Sequence, residues 1–411
     1  MSDTPDEVAT THSRAGPLTM ALAGCMALAI FVAPTVGALG PFLVPEFGLS
    51  RSQLGTLTTS IFVVAAGFSV LAGRMVDAVG GRLALVAMLV TAALSLVLVS
   101  RASAYTWLLL CVAASGLCQA LANPATNKVI STSIAGPRQG VTTGIKQAGV
   151  PVGGALVGLL LPPMATVLGW RSALLLAATL PLVAIGFVLW LVPTGRSSRY
   201  GPPIRGTGGA AGDGDTQLPS FLPGLTAYSL FLGGSIGTVS TYLPLYAHQA
   251  LGFPEITAGR VFAVFGLAGV LGRLAWTYVV SRHGGALTVL TLLAVAAAGF
   301  GALFSVASHS PEALVWVAAA GMGATATAAN AVSMLLVVTR SATGLAGRAS
   351  GRVVGGFFAG FVVFPPLFGA LVDAFDGSYR AGWLLVAGEL VAAALVALAL
   401  LRAPNARPSG L

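Results

Sequence analysis

The sequence predicts an all-α membrane protein of twelve transmembrane helices, and three observations carry that prediction. First, 56% of the 411 residues are hydrophobic and only 8% are charged, with a mean hydropathy of +0.90. A soluble domain carries roughly 25% charged residues, so most of this surface must face something other than water. Second, the apolar residues fall into runs long enough to cross a bilayer, which takes about 20 residues each. Third, the basic residues between the runs are distributed unequally on the two faces that the runs would define.

Taken in order, the runs lie at about 18–40, 53–72, 83–100, 105–127, 141–163, 172–192, 221–246, 260–280, 284–306, 313–338, 350–372 and 382–401, here called spans 1 to 12. Each is read as a helix, because a lipid-facing backbone must satisfy its hydrogen bonds within its own segment and the alternation of a barrel strand is absent. Ahead of span 1 the chain carries Asp3, Asp6 and Glu7 against Arg14. That is the wrong sign for a secretory signal, so the first run is expected to stay as a span. Twelve spans put both termini on one side. With that side taken as the cytoplasm, only Arg51, Arg101, Arg171, Arg260 and Arg380 of the 21 basic residues fall on the far face, which satisfies the positive-inside rule. The formal charge of +9 is thus read as topology, and no basic cluster interleaved with aromatics suggests nucleic acid.

Pro193 to Pro219 is rich in Gly, Pro and Ser and has no apolar stretch, as expected of a flexible connection. The expected organisation is a cytoplasmic tail at 1–17, a six-helix bundle at 18–193, a cytoplasmic linker at 194–220, a second bundle at 221–402 and a tail at 403–411. The halves repeat each other. A shift of 207 places Asn123 on Asn330, Gly116 on Gly323, Gly140 on Gly347 and Gly144 on Gly351. A second match, shifted by 199, pairs Gly73 with Gly272 and Arg74 with Arg273. Transporters are often built from such repeats, with the substrate site between them.

Between spans 2 and 3 the chain reads GRMVDAVGGR, placing Gly73, Asp77, Gly80 and Arg82 in the register G-x-x-x-D-[RK]-x-G-[RK]-[RK]. With the span count and the central loop, this resembles the major facilitator superfamily of secondary transporters. The departures are Ala78 and Gly81, where the family usually has basic residues, and the second half has Trp276 where the acid would stand. The resemblance implies two six-helix bundles rocking about a central site, both termini cytoplasmic, and a multi-pass protein of the plasma membrane. Physically, Gly73 permits close helix contact, Asp77 can accept from a helix end or a basic partner, and Arg82 can pair across an interface. Gly73, Asp77, Gly80 and Arg82 are therefore candidates for a conformational gate; the alternative is a charged loop that only fixes topology.

Polar groups at membrane depth are costly and are usually paired or functional. Lys146 lies about five residues into span 5 beside Gln147. Arg348 and Arg352 are a turn apart on span 11, with Arg352 the deeper. Gln119, Asn123 and Asn127 form an i, i+4 stripe on span 4, and Asn330 repeats Asn123 in span 10. These amides are expected either to line a polar cavity or to tie helices together. By resemblance spans 1, 4, 7 and 10 line the central path, which adds Thr238 and Tyr242 of span 7. The candidate substrate-binding set is thus Lys146, Arg352, Asn123, Gln119, Asn330, Tyr242 and Thr238. Glu389 is the one acid near the middle of a span, without an evident partner.

No metal or cofactor is expected. Cys25, Cys111 and Cys118 lie inside apolar runs, His12, His248, His283 and His309 lie in tails or loops, and no nucleophile elbow or phosphate-binding loop occurs. An enzyme or ATP-driven pump is excluded on those grounds. Deep cations without matching acids favour a small organic anion such as a carboxylate, moved with a co-transported proton or against an exchanged anion by a monomer in the bilayer. The competing expectation is proton-driven export of hydrophobic or drug-like compounds. Against it, the run Gly149, Val150, Pro151, Val152, Gly153, Gly154 holds its proline one place later than the exporter motif G-P-x-x-G-G, and span 4 lacks an Arg near its start.

Overall fold

The computed structural model describes residues 5–192, 219–307, 312–341 and 345–402. Among these the chain is almost entirely helical, without strands. The expected linker lies outside the described residues from 193 to 218, as does the tail at 403–411.

All twelve predicted segments are helices. Ten are long and apolar enough to cross a membrane, and span 1 makes an eleventh as a bent pair, Gly16–Ile30 and Val32–Ala38, with a 52° break. Pro34 lacks the N–H that would carry the ladder across that break. The remaining segment, span 7 (Leu222–Gln249, 28 residues), is diluted by Ser229, Ser235, Thr238, Thr241 and glycines. Span 1 begins earlier than its apolar run, at Pro5, so helix takes in most of the expected first tail. Span 5 runs Gly136–Leu168, 33 residues, which places Lys146 ten residues, roughly 15 Å, from its start rather than five. Polar residues at the ends of an apolar run do not stop a helix; they carry it into the headgroup region. Span 10 is Ala313–Met322 and Ala328–Arg340 joined by a π turn, Gly323–Thr327.

The ends have local causes. Ser50 and Gln53 form a reciprocal capping box at the start of span 2 (Arg51–Val79). Gly80 (φ 85°) and Gly284 (φ 70°) close spans 2 and 8 in a backbone conformation that favours glycine.

Helix pairing shows the duplication directly. Spans 1·5, 2·4 and 3·6 pack together in the first half, and 7·11, 8·10 and 9·12 in the second. The 207 shift has a packing basis. A methyl at Gly116 would overlap a span 2 carbonyl and one at Gly323 a span 8 carbonyl, and Gly149 and Gly356 stand likewise against spans 1 and 7. Gly140, Gly144, Gly347 and Gly351 meet nothing, so their matches carry no contact. The 199 shift is not the structural register. Span 2 (Arg51–Val79) and span 8 (Glu255–His283) both have 29 residues and start 204 positions apart. Ser281, not Trp276, therefore occupies the place of Asp77, and Arg273 stands at the level of Ser69, deeper than Arg74.

The halves meet chiefly through spans 2 and 11 and spans 5 and 8. The end of the molecule at residues 192 and 402 is called inner, following the topology reading, and the opposite end outer. One apolar core runs through the second half and into the outer parts of the first, including Leu54, Phe62, Leu161 and Trp170. The inner part of the first half packs as a separate cluster around Leu22, Met88, Leu121 and Val188. The protein is thus one core outside and two bodies inside.

Candidate functional site

At the innermost hydrogen bond between the halves a polar chain crosses from one to the other. Span 4 (Tyr105–Ser133) supplies Asn123, Thr126 and Asn127, which fall on one helical face, and span 5 supplies Lys146 and Gln147. The Lys146 side chain is completely buried. Its Nζ donates to Thr126 Oγ1 at 2.8 Å, to Asn123 Oδ1 at 3.4 Å and to Asn127 Oδ1. Thr126 can accept because its own proton goes to Ala122 O at 2.6 Å. Gln147 Nε2 donates to the same Asn123 Oδ1 at 3.0 Å. From the second half, Arg273 of span 8 donates Nη1 to the Gln147 carbonyl at 3.2 Å, while its Nε is buried with no partner.

Every acceptor in this chain is neutral. The ion pairs among the described residues, Lys128–Asp77 and Arg171–Glu46, involve neither cation. Two cations, one from each half, therefore stand on one hydrogen-bonded path with no carboxylate to balance them. Charge in such surroundings is costly unless countered, so the arrangement favours a transient anion.

Arg273 is the residue the sequence reading missed. The 199 register paired it with Arg74 near the inner face, whereas equal helix lengths put it a turn deeper; matching helix ends rather than Gly-Arg pairs would have found it. Gln147, noted only as a neighbour of Lys146, is the link.

The other predicted residues lie as follows. Gln119 is half-buried one turn from Asn123 and makes no side-chain bond in the chain. Asn330 is the structural counterpart of Asn123, half-buried at the equivalent place. The position matching Lys146 is Val353, however, fully buried and apolar. Arg352 instead matches Ile145, and both are exposed. One residue turns a helix by about 100°, so Arg352 does not share the face of Lys146. Arg348 is also exposed.

Tyr242 and Thr238 are buried higher on span 7. Tyr242 Oη shares its one hydrogen between Arg51 O at 2.6 Å and Pro365 O at 2.9 Å, which makes it part of the outer closure. Thr238 Oγ1 is buried without a partner. The closure centres on Asp373 of span 11 (Ala346–Ala374). Its carboxylate accepts the Arg51 and Ser52 N–H groups at 2.9 Å and the Ser52 hydroxyl at 2.8 Å, capping span 2 from the other half. Arg51 and Tyr379 both donate to Gln249 Oε1, at 2.9 and 2.8 Å. Burial pushes the Tyr379 hydroxyl up to about 12, so it stays a donor across the physiological range. Lower down, Thr58 meets Thr241 at 2.9 Å and Thr59 donates to Val362 O at 2.7 Å.

The predicted gate residues make contacts within the first half. Asp77 pairs with Lys128 of span 4 at 2.8 Å and is largely exposed. Arg82 donates to Leu189 O of span 6 at 2.6 Å. Gly73 and Gly80 meet no neighbouring side chain.

Comparison with known proteins fits this geometry. The Major Facilitator Superfamily model matches residues 19–351. The chain is 29% identical over 384 residues to the probable nitrate/nitrite transporter NarK2 of Mycobacterium tuberculosis, covering 88% of this chain and 89% of that one. It is 24% identical over 413 residues to the probable sulfoacetate transporter SauU of Cupriavidus necator, covering 91% and 92%. Among solved structures, a variant of the nucleoside transporter NupG superposes with a TM-score of 0.76 at 15% identity, over 94% of this chain and all of that one.

Proposed function

The chain belongs to the Major Facilitator Superfamily, a multi-pass membrane transporter and not an enzyme, and from that premise we propose that it carries a small anion between its two bundles by alternating access. The observation that supports this is the Lys146–Asn123–Gln147–Arg273 chain, which joins a cation from each half without a carboxylate. Alternating access needs a site that both halves hold and that either can release. An anion provides this, because each cation gains about 4 kcal/mol from a unit negative charge 4 Å away at an effective dielectric of about 20. A neutral or hydrophobic solute gains nothing from either. The relatives named for nitrate, nitrite and sulfoacetate move anions by their names, in keeping with a small anion and with carboxylates as one subclass.

In this conformation the outer ends are fastened, while the inner part of the first half packs as a cluster of its own. Opening the other way requires Asp373 to release span 2 and the inner ends to close, a step in which Asp77 and Arg82 would exchange their present partners in the first half for ones in the second.

Uptake of labelled nitrate, nitrite, sulfoacetate and small carboxylates into proteoliposomes, beside lipophilic dyes, tests the reading. Flux of at least one anion, lost in both Lys146→Ala and Arg273→Ala, is expected. Dye movement that survives both substitutions, with no anion flux, would replace the anion carrier with an exporter.

A further inference from the structure

The second half buries an ionisable group that the anion site does not use. Glu389 lies at mid-length of span 12 (Arg380–Arg402) and is 3% exposed. The other acids among the described residues, Asp6, Glu7, Glu46, Asp77, Glu255, Glu312, Asp373 and Asp376, are at helix ends or in loops. The Glu389 carboxyl rests on the backbone of span 7 at Gly234, where an added methyl would strike both it and the Phe364 ring of span 11.

The surroundings favour the protonated form. Ser235 Oγ lies 2.7 Å from Phe231 O and 3.2 Å from Glu389 Oε2, and its one hydrogen is divided between the carbonyl and the carboxyl. The second oxygen, Oε1, is buried with no donor. An ionised carboxylate here would have only that shared hydroxyl and no cation, which makes the charged form costly.

The surrounding elements supply none. Span 12 packs against spans 7, 9 and 11. Its own Arg380 and Arg402 are at its ends, roughly 14 and 20 Å along the helix. Span 7 brings Tyr228, Tyr242, Tyr246 and His248; the three tyrosines donate to Leu290, Arg51 and Phe304 carbonyls, and His248 lies in the last turn. Span 9 (Ala286–Val306) has no charged residue. Span 11 brings Arg348, Arg352 and Asp373; Arg352 is about 18 Å along the helix from Phe364, and Asp373 is committed to span 2.

We propose that Glu389 is a proton-binding site, loaded while the outer ends are joined and emptied when span 7 moves against span 12, so that one proton accompanies each transport cycle. Span 7 is the right lever, since Thr241 and Tyr242, under two turns above Ser235, belong to the outer closure. When the closure opens, water reaches the carboxyl, the O–H bond breaks, the proton leaves on water and a carboxylate remains. A proton from the opposite face restores it. The cycle rests on the anion-carrier reading; the protonated carboxyl does not.

Two measurements separate them. Infrared difference spectroscopy of the purified protein in lipid at neutral pH is expected to show a protonated-carboxyl stretch that Glu389→Gln lacks. No difference in that band would overturn the proposal whatever the transport result. In proteoliposomes, Glu389→Gln, which mimics the protonated form, is expected to lose accumulation driven by a pH gradient by on the order of tenfold or more, while anion counterflow at equal pH stays within about twofold. Gradient-driven accumulation equal to wild type would overturn the coupling. A wild type that shows the band and moves no anion would overturn the carrier reading and the coupling while leaving the proton on Glu389.

Discussion

The outer and inner ends of the interface between the halves are built on different principles. Outside, backbone carbonyls and N–H groups do most of the joining: Asp373 caps span 2, Tyr242 bridges two carbonyls, and Gly55 lets span 2 lie against Pro365. Inside, the halves pack as separate apolar clusters joined by one charged side chain, the Arg273 guanidinium on the Gln147 backbone carbonyl, beside the buried Lys146. A closure made of backbone can re-form in the same place each cycle. A link made of charged side chains can be taken over by a ligand. The difference is what the proposed division predicts, with holding at one end and recognition at the other.

Six substitutions probe that division, in order of expected effect. Lys146→Ala and Arg273→Ala each remove a cation and should lower initial anion uptake by on the order of 100-fold, whereas Arg352→Ala should stay within about threefold; vesicle uptake rates measure this. Equal losses from Arg352 and Lys146 would erase the distinction between buried and exposed cations. Gly55→Ala pushes a methyl into Pro365 O and the Tyr242 hydroxyl, and should force the outer ends apart in most molecules. Spin labels at Ser103→Cys and Ser378→Cys, both exposed in outer loops of opposite halves, should report a longer distance. Asp373→Asn removes the charge that caps span 2 and should shift the same distance distribution by roughly fivefold in population, about 1 kcal/mol. Asp77→Asn breaks an exposed pair screened by solvent and should change that population by at most about threefold, fading in high salt. An effect of Asp77→Asn larger than that of Asp373→Asn would reverse the assignment of the holding end.

The span pattern was legible because lipid imposes one rule on every segment, and even span 7, the polar exception, was found by its length. The repeat was legible where it rests on contact, as at Gly116 and Gly323. It misled where matching letters had no contact behind them, and the Gly-Arg pairs drew Arg273 five residues out of register. Lys146 could be read as a deep cation from its place in span 5, but its three acceptors on span 4 depend on how two helices are rotated. The same rotation separates it from Arg352. Asn330 matches Asn123 in the sequence repeat, and Val353 in place of Lys146 leaves the second half without a cation there.

The carboxylate-free chain at Lys146 and Arg273 has an electrical consequence. On the proposed reading the empty site carries two positive charges, less one when Glu389 has given up its proton, so net charge moves as the halves rock. Carrying about a fifth of a unit charge through a potential of 100 mV is worth roughly 0.5 kcal/mol. A negative interior should therefore draw the unloaded protein toward the conformation seen here and slow its return outward. Membrane voltage would then act on turnover without any dedicated sensor, through the same two side chains proposed to hold the anion.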